Sequence, residues 1–127
     1  MSMVNRALPF TLVYPMLIYK IFRRPEWVSF RDAGASLGAP VDLADGYIHF
    51  STAAQVAETV SKHFAGESDL VLLALESDKL GAALKWQPSR GGALFPHLYR
   101  PLLASDVLWD KSLPLGATGH IFPEGVF

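Results

Sequence analysis

Two short phrases in this chain carry residue types that could bind or transform a ligand. They are Asp45-Gly46-Tyr47-Ile48-His49-Phe50-Ser51-Thr52 and Phe95-Pro96-His97-Leu98-Tyr99. Each sets a histidine among aromatic and apolar residues. An imidazole both donates and accepts hydrogen bonds and changes charge near neutral pH. Read as a strand, residues 47–51 alternate with period two, so Ile48 and Phe50 share the core face and Tyr47, His49 and Ser51 share the other. A row of phenol, imidazole and hydroxyl makes a poor core surface and a good pocket floor. Ser51 and Thr52 stand where a helix is expected to begin, and its free N–H groups and dipole favour an anion there. A phosphate or carboxylate beside His49 is one reading. A solvent-facing His49 with Ser51 merely capping is the other. A Ser51–His49 nucleophile pair lacks a G-x-S-x-G elbow and any clearly placed carboxylate to orient the imidazole.

In the second phrase, Pro96 and Pro101 bracket His97, Tyr99 and Arg100 and stiffen the backbone that presents them. Together these three side chains suit a phosphate-bearing ligand with a stackable ring. The alternative is a proline-rich sheet edge with a solvated histidine and arginine. Tyr19 and Lys20 sit in an apolar run, where the lysine is either an edge charge that blocks aggregation or a phosphate ligand in a pocket. His63 and His120 are expected to be solvated. The four histidines show no metal-ligand spacing, so no metal is expected. Arg90-Gly91-Gly92 is not a P-loop, because G-x-x-x-x-G-K-[ST] is absent.

Elements must position these residues. Residues 16–22 read as a first strand, followed by a short helix over 26–35 ended by Gly34 or Gly38. Residues 38–46 read as loop. Thr52 and Gln55 have capping-box spacing, and Ala53, Val56, Ala57, Val60 and Phe64 recur at helical period, with Gly66 as the stop. Residues 70–75 form a continuous apolar run, as in a strand buried on both faces. A helical turn over 77–80, a strand over 83–87 and a loop over 88–92 follow. Residues 95–103 read as an interrupted edge strand, 106–112 as a strand, and the tail after Pro114 as irregular. The sum is an α+β fold with one main sheet and two or three helices.

The chain has 127 residues, 50% of them hydrophobic, and a net charge of −1. That is one domain with enough apolar material for a core. The expected division is an irregular extension over 1–15 and a single domain over 16–127. The near-neutral charge argues against strong general nucleic-acid or membrane binding. Absence of cysteine removes disulfide and thiolate chemistry and is compatible with a cytoplasmic protein. Oligomeric state is not legible.

The phrases Ile18-Tyr19-Lys20-Ile21, Asp45 to Thr52, Leu84-Lys85-Trp86 and Phe95 to Tyr99 together resemble a small bacterial family, the domain of unknown function 952. The resemblance runs in order over about residues 16–113. That family is similar in fold to the ADP-ribosyltransferase superfamily, and notably to the RNA 2′-phosphotransferases. It implies a split β-sheet clasping a cleft that holds NAD as substrate, or a related anionic nucleotide. By this resemblance Lys20, His49 and His97 are the catalytic candidates, with Tyr19, Tyr47, Ser51, Thr52, Tyr99 and Arg100 around the nucleotide. Lys20 and His49 would engage ribose and phosphate, Ser51 the nicotinamide or phosphate, and His97 and Arg100 a phosphorylated acceptor. The alternative it leaves is a non-catalytic binding module with the same cleft. The chain departs from the family pattern at Gln87, where an acid often follows the tryptophan, and at Arg100, where glycine often follows the tyrosine. It shows no match to the catalytic glutamate of protein-modifying transferases.

Overall fold

The computed structural model describes residues 16–127, so the extension expected over 1–15 lies outside the described residues. The chain opens with β1 (Leu17–Arg23), α1 (Arg24–Ala33), β2 (Ala35–Ser36) and α2 (Pro40–Asp45). β3 (Ile48–His49), β4 (Ser51–Thr52), α3 (Ala53–His63) and β5 (Leu70–Glu76) follow. The remaining strands are β6 (Leu84–Pro88), β7 (Leu94–Leu98), β8 (Leu102–Leu103), β9 (Val107–Leu113), β10 (Leu115–Gly116) and β11 (Gly119–His120). The fold is α+β.

Two sheets do most of the work. One has four strands in the order β4-β1-β5-β9, and the other three in the order β3-β7-β6. All their pairings are antiparallel. β5 lies between β1 and β9, and its unbroken apolar run follows from burial of both its faces in two separate core clusters. One face of the four-stranded sheet packs Ile18, Phe22, Val71, Leu73 and Leu75 against Trp27 and Phe30 of α1 and against Ile48 and Leu98 of the smaller sheet. The other packs Tyr19, Ile21, Leu70 and Leu72 against Val56 and Val60 of α3.

Helix ends follow local chemistry. α1 stops at Gly34, whose φ of +79° is the left-handed conformation that favours glycine. α3 starts as expected, with the Thr52 N–H donating to Gln55 Oε1 at 3.0 Å. The strand expected over 47–51 is broken at Phe50, because the chain changes sheets there. Ile48 and His49 pair with β7, whereas Ser51 and Thr52 pair with β1. The Phe50 N–H bridges the gap by donating to the Pro96 carbonyl at 3.0 Å. The alternation survives the break, since Ile48 and Phe50 are both buried in the same core.

Three expectations are corrected. Residues 40–45 are helical rather than loop; Pro40 pre-sets the first turn and the Asp42 side chain caps the Ala39 N–H at 2.7 Å. β7 is the centre of its sheet, not an edge. It tolerates Pro96 because a strand residue points its N and C=O to the same neighbour, here position 50, where only the carbonyl is used. The tail is not wholly irregular, since β10 and β11 form a short hairpin. No helix among the described residues is long and apolar enough to cross a membrane.

Leu73 is fully buried at the centre of the larger sheet. Leu73→Ala is expected to lower unfolding free energy by about 2–5 kcal/mol, read from the shift of a urea midpoint.

Candidate functional site

A carboxylate that the sequence reading passed over organises the site. Asp42 of α2 is 1% exposed and accepts four hydrogen bonds. Lys20 Nζ donates to Oδ2 at 2.7 Å, and the Ala39 N–H donates to the same oxygen at 2.7 Å. The His49 N–H donates to Oδ1 at 2.9 Å, with His49 Nδ1 2.6 Å from that oxygen. A carboxylate only accepts, so Nδ1 carries the proton. Burial alone would raise the Asp42 pKa, but the His49 hydrogen bond and the Lys20 charge outweigh it and hold the carboxyl below its usual value. Gly38 makes room: it has φ +102°, and a Cβ there would lie 2.2 Å from Asp42 Oδ2.

Lys20 is 5% exposed, and its ammonium also donates to the His49 carbonyl at 3.0 Å. Burial pulls its pKa down and Asp42 opposes the shift. The edge-charge reading of Lys20 therefore fails, because the lysine is an interior cation with a dedicated partner. His49 Nε2 lies 2.9 Å from Asp45 Oδ2, so both ring nitrogens face carboxylates. The solvent-facing reading of His49 is corrected in the same way.

His97 pairs with His49 across β3 and β7, and their ring centroids are 5.4 Å apart. His97 is 2% exposed; burial, helped by the charge of His49, lowers its pKa. Its Nδ1 lies 2.8 Å from Gln87 Oε1, an acceptor, which leaves the Nε2 lone pair free to accept. Tyr47 stacks against both imidazoles, at centroid distances of 4.7 and 4.2 Å, and against Tyr99 at 5.2 Å. Tyr99 donates to Gln87 Oε1 at 2.7 Å. Gln87 thus holds the imidazole and the phenol together.

Lys20, His49 and His97 line one cavity of about 420 Å³. Tyr19 and Ser51 also reach its wall, whereas Tyr47, Thr52, Tyr99 and Arg100 do not. Arg100 is committed elsewhere, clamping Asp106 with two hydrogen bonds of 2.8 and 3.1 Å. Its assignment to an acceptor is corrected on that ground. Ser51 Oγ lies 2.8 Å from Thr59 Oγ1, so its hydroxyl serves α3 rather than His49.

The wall also carries cations that the sequence did not single out. Arg23, His63 and Arg90 join Lys20, His49 and His97, and no Asp or Glu stands among the lining residues. His63, in the last turn of α3, is exposed as expected and also lines the cavity. The backbone contributes as well. β4 pairs β1 only at Ile18 and Tyr19, so among the described residues β1 has no partner strand on that side beyond Tyr19. The Met16 carbonyl and the Arg24 N–H bond toward β5, which fixes the even-numbered residues on that side. Ile21 therefore turns its N–H and C=O to the cavity it lines. Among the described residues, no group of histidine, cysteine, Asp and Glu is arranged to hold a metal.

The chain matches the family model described as "Protein of unknown function (DUF952)" over residues 21–110, and it belongs to that family. No curated protein sequence matches it. The crystal structure of protein CC0527 from Caulobacter crescentus is 54% identical to it, with a TM-score of 0.79 over 82% of this chain and 91% of that one. The solution NMR structure of the same Caulobacter protein, also 54% identical, gives a TM-score of 0.74 over 82% and 90%.

Asp42→Asn keeps the shape and removes the charge, leaving the Lys20 ammonium buried without its counter-ion. We expect a loss of about 3–5 kcal/mol in chemical denaturation, partly restored by adding Lys20→Met. Because folding depresses the Asp42 pKa from its reference of 3.8, its contribution is complete above that value and drains away as pH falls through the folded value. Acid titration of stability should therefore be shallower below pH 4 in Asp42→Asn than in the parent.

Proposed function

We propose that this cavity binds NAD or a related nucleotide, as an ADP-ribosyltransferase-like domain does, and that the domain transfers ADP-ribose to a phosphorylated acceptor. One observation carries the reading. A protein of net charge −1 surrounds a cavity of about 420 Å³ with six basic or imidazole side chains and no acid. Such a wall concentrates anions, and the volume is ordinary for a small-molecule site.

The individual groups suit a nucleotide. The paired N–H and C=O of Ile21 match a carboxamide or the edge of a base. The free Nε2 of His97 can accept from a ribose hydroxyl. Phe95 and the two imidazoles offer flat faces to a ring.

In the transfer, a phosphate oxygen of the acceptor uses its lone pair to bond ribose C1′ as the C1′–nicotinamide bond breaks. The bond's electrons return to the nicotinamide ring and cancel its positive charge. The nucleophile is already anionic, so no general base is required, and the site's task is to position it against a cation-like transition state. A wall whose ionisable groups are all basic or imidazole fits that demand. It fits poorly with a reaction that needs a carboxylate beside the ribose.

A second reading is favoured by a specific contact. Lys20 and His49 both face carboxylates, so neither is free as the site stands. A non-catalytic nucleotide- or small-ligand-binding module with the same cavity needs no more than that.

Calorimetry with NAD, ADP-ribose and a 2′-phosphorylated oligonucleotide, paired with an assay of nicotinamide release, separates the two. Binding with turnover that falls in His49→Ala supports transfer. Turnover unchanged by His49→Ala removes the histidine from catalysis, and binding without turnover selects the module. Failure of NAD and ADP-ribose to bind would overturn both nucleotide readings.

A further inference from the structure

The wall of the cavity formed by α3 and the loop before β7 has a construction of its own. Arg90 lies in that loop, with its guanidinium carbon 4.8 Å from the centre of the Phe95 ring. Its Nη2 donates to Thr59 Oγ1 at 3.1 Å, and Thr59 continues to Ser51 Oγ at 2.8 Å. The nearest carboxylate, Glu58 Oε1, is 3.6 Å from Arg90 Nε, too far for a hydrogen bond. Nε is buried and has no hydrogen-bond partner among the described residues. An arginine braced by a ring below and a hydroxyl beside it, on a cavity wall and with no carboxylate in hydrogen-bond distance, suits an anionic acceptor.

Arg90 differs from the cations at the Asp42 end of the cavity. Lys20 has Asp42 at 2.7 Å, and Arg23 has Glu67 at 2.8 Å. Of the three lysine and arginine side chains in the wall, Arg90 alone lacks a carboxylate within hydrogen-bond distance. Ser51, Thr59, Ser89 and His63 also line the cavity. Hydroxyls, an imidazole and a guanidinium are the donors that a phosphate group takes, and none of them brings a negative charge.

We infer that Arg90, with Thr59 and Ser51, forms the phosphate subsite of this cavity, and that the ligand enters with its phosphate at Arg90 and its ring or ribose toward His97. The assignment rests on the nucleotide reading of the cavity. It moves the phosphate away from Lys20, whose charge Asp42 already answers. It also gives the Ser51–Thr59 pair a role: with Arg90 donating to Thr59, one hydroxyl hydrogen of the pair is free to point at the anion.

The test compares AMP, adenosine and inorganic pyrophosphate by calorimetry on the full chain, in the parent, Arg90→Gln and Glu58→Gln. Arg90→Gln should weaken AMP and pyrophosphate roughly tenfold or more and leave adenosine nearly unchanged. Glu58 is largely exposed, so Glu58→Gln is expected to fold. Removing the carboxylate 3.6 Å from Arg90 should tighten pyrophosphate about twofold to threefold and steepen its salt dependence less than Arg90→Gln flattens it. AMP binding equal in the parent and Arg90→Gln would overturn the subsite and leave the nucleotide reading intact. Arg90-dependent pyrophosphate binding without any binding of AMP or NAD would do the reverse. If Arg90→Gln does not fold, unchanged pyrophosphate affinity in Glu58→Gln overturns the subsite, as does failure of the parent to bind pyrophosphate at all.

Discussion

The Asp42 carboxylate is the interaction on which the rest of the site depends. It is buried, it is charged, and its four donors come from three separate stretches of chain: β1, the turn into α2, and β3. Removing two charges from water is costly, and only dense hydrogen bonding makes a buried pair tolerable. The pair is therefore better understood as a specification than as a source of stability. An apolar pair at positions 20 and 42 could pack equally well. It would not fix the His49 ring, anchor a six-residue helix, or hold the β3 backbone by both the N–H and the carbonyl of His49.

That specification divides the cationic wall into two kinds of group. Lys20 and His49 are satisfied by acids that stand behind the wall, so their charges shape the cavity without being fully available to a ligand. His97 is pushed toward the neutral imidazole by burial and by its neighbour, and offers an acceptor rather than a charge. Arg90 retains a donor with nothing to bond. A ligand meeting this wall meets a graded surface, with an acceptor at one end and a cation at the other. The overall net charge of −1 conceals it, because the acids that answer these groups stand behind the wall rather than in it.

Local signals in the sequence were read correctly where local physics decides the outcome. The Thr52–Gln55 spacing marked the start of α3, and the apolar run over 70–75 marked β5, since capping and hydrophobic period act within a few residues. The alternation of Ile48 and Phe50 against His49 and Ser51 held even though the strand did not. The unread parts are those that tertiary contacts decide. Asp42 lies 22 residues from Lys20, and nothing near it in the chain announces a buried acid. A segment bounded by Gly38 and Gly46 reads as loop, and its helix depends on a side chain capping a backbone donor. Arg90 sits among glycines that match no phosphate-binding motif, so its place on the wall depends on Phe95 and Thr59 alone. Pro96 marked β7 as an edge because proline usually does, and only the two-residue length of β3 excuses it.

That shortness also explains why there is a cavity. Had residues 48–54 continued as one strand, the chain would have zipped along β1 and closed the edge past Tyr19. Instead β3 joins one sheet, β4 joins the other for two residues, and Thr52 ends the strand by capping α3. The helix then leaves over the far face, where Val56 and Val60 pack on Tyr19 and Ile21. What remains open among the described residues is the length of β1 that a longer β4 would have covered, with Ile21 directing backbone polar groups into it. Exposed backbone donors and acceptors in a concave, apolar-backed space demand partners. The same three residues that make the histidine row, Tyr47, His49 and Ser51, straddle the change of sheet that creates this space. The chemistry and the opening thus have one origin in the chain, a strand interrupted at Phe50.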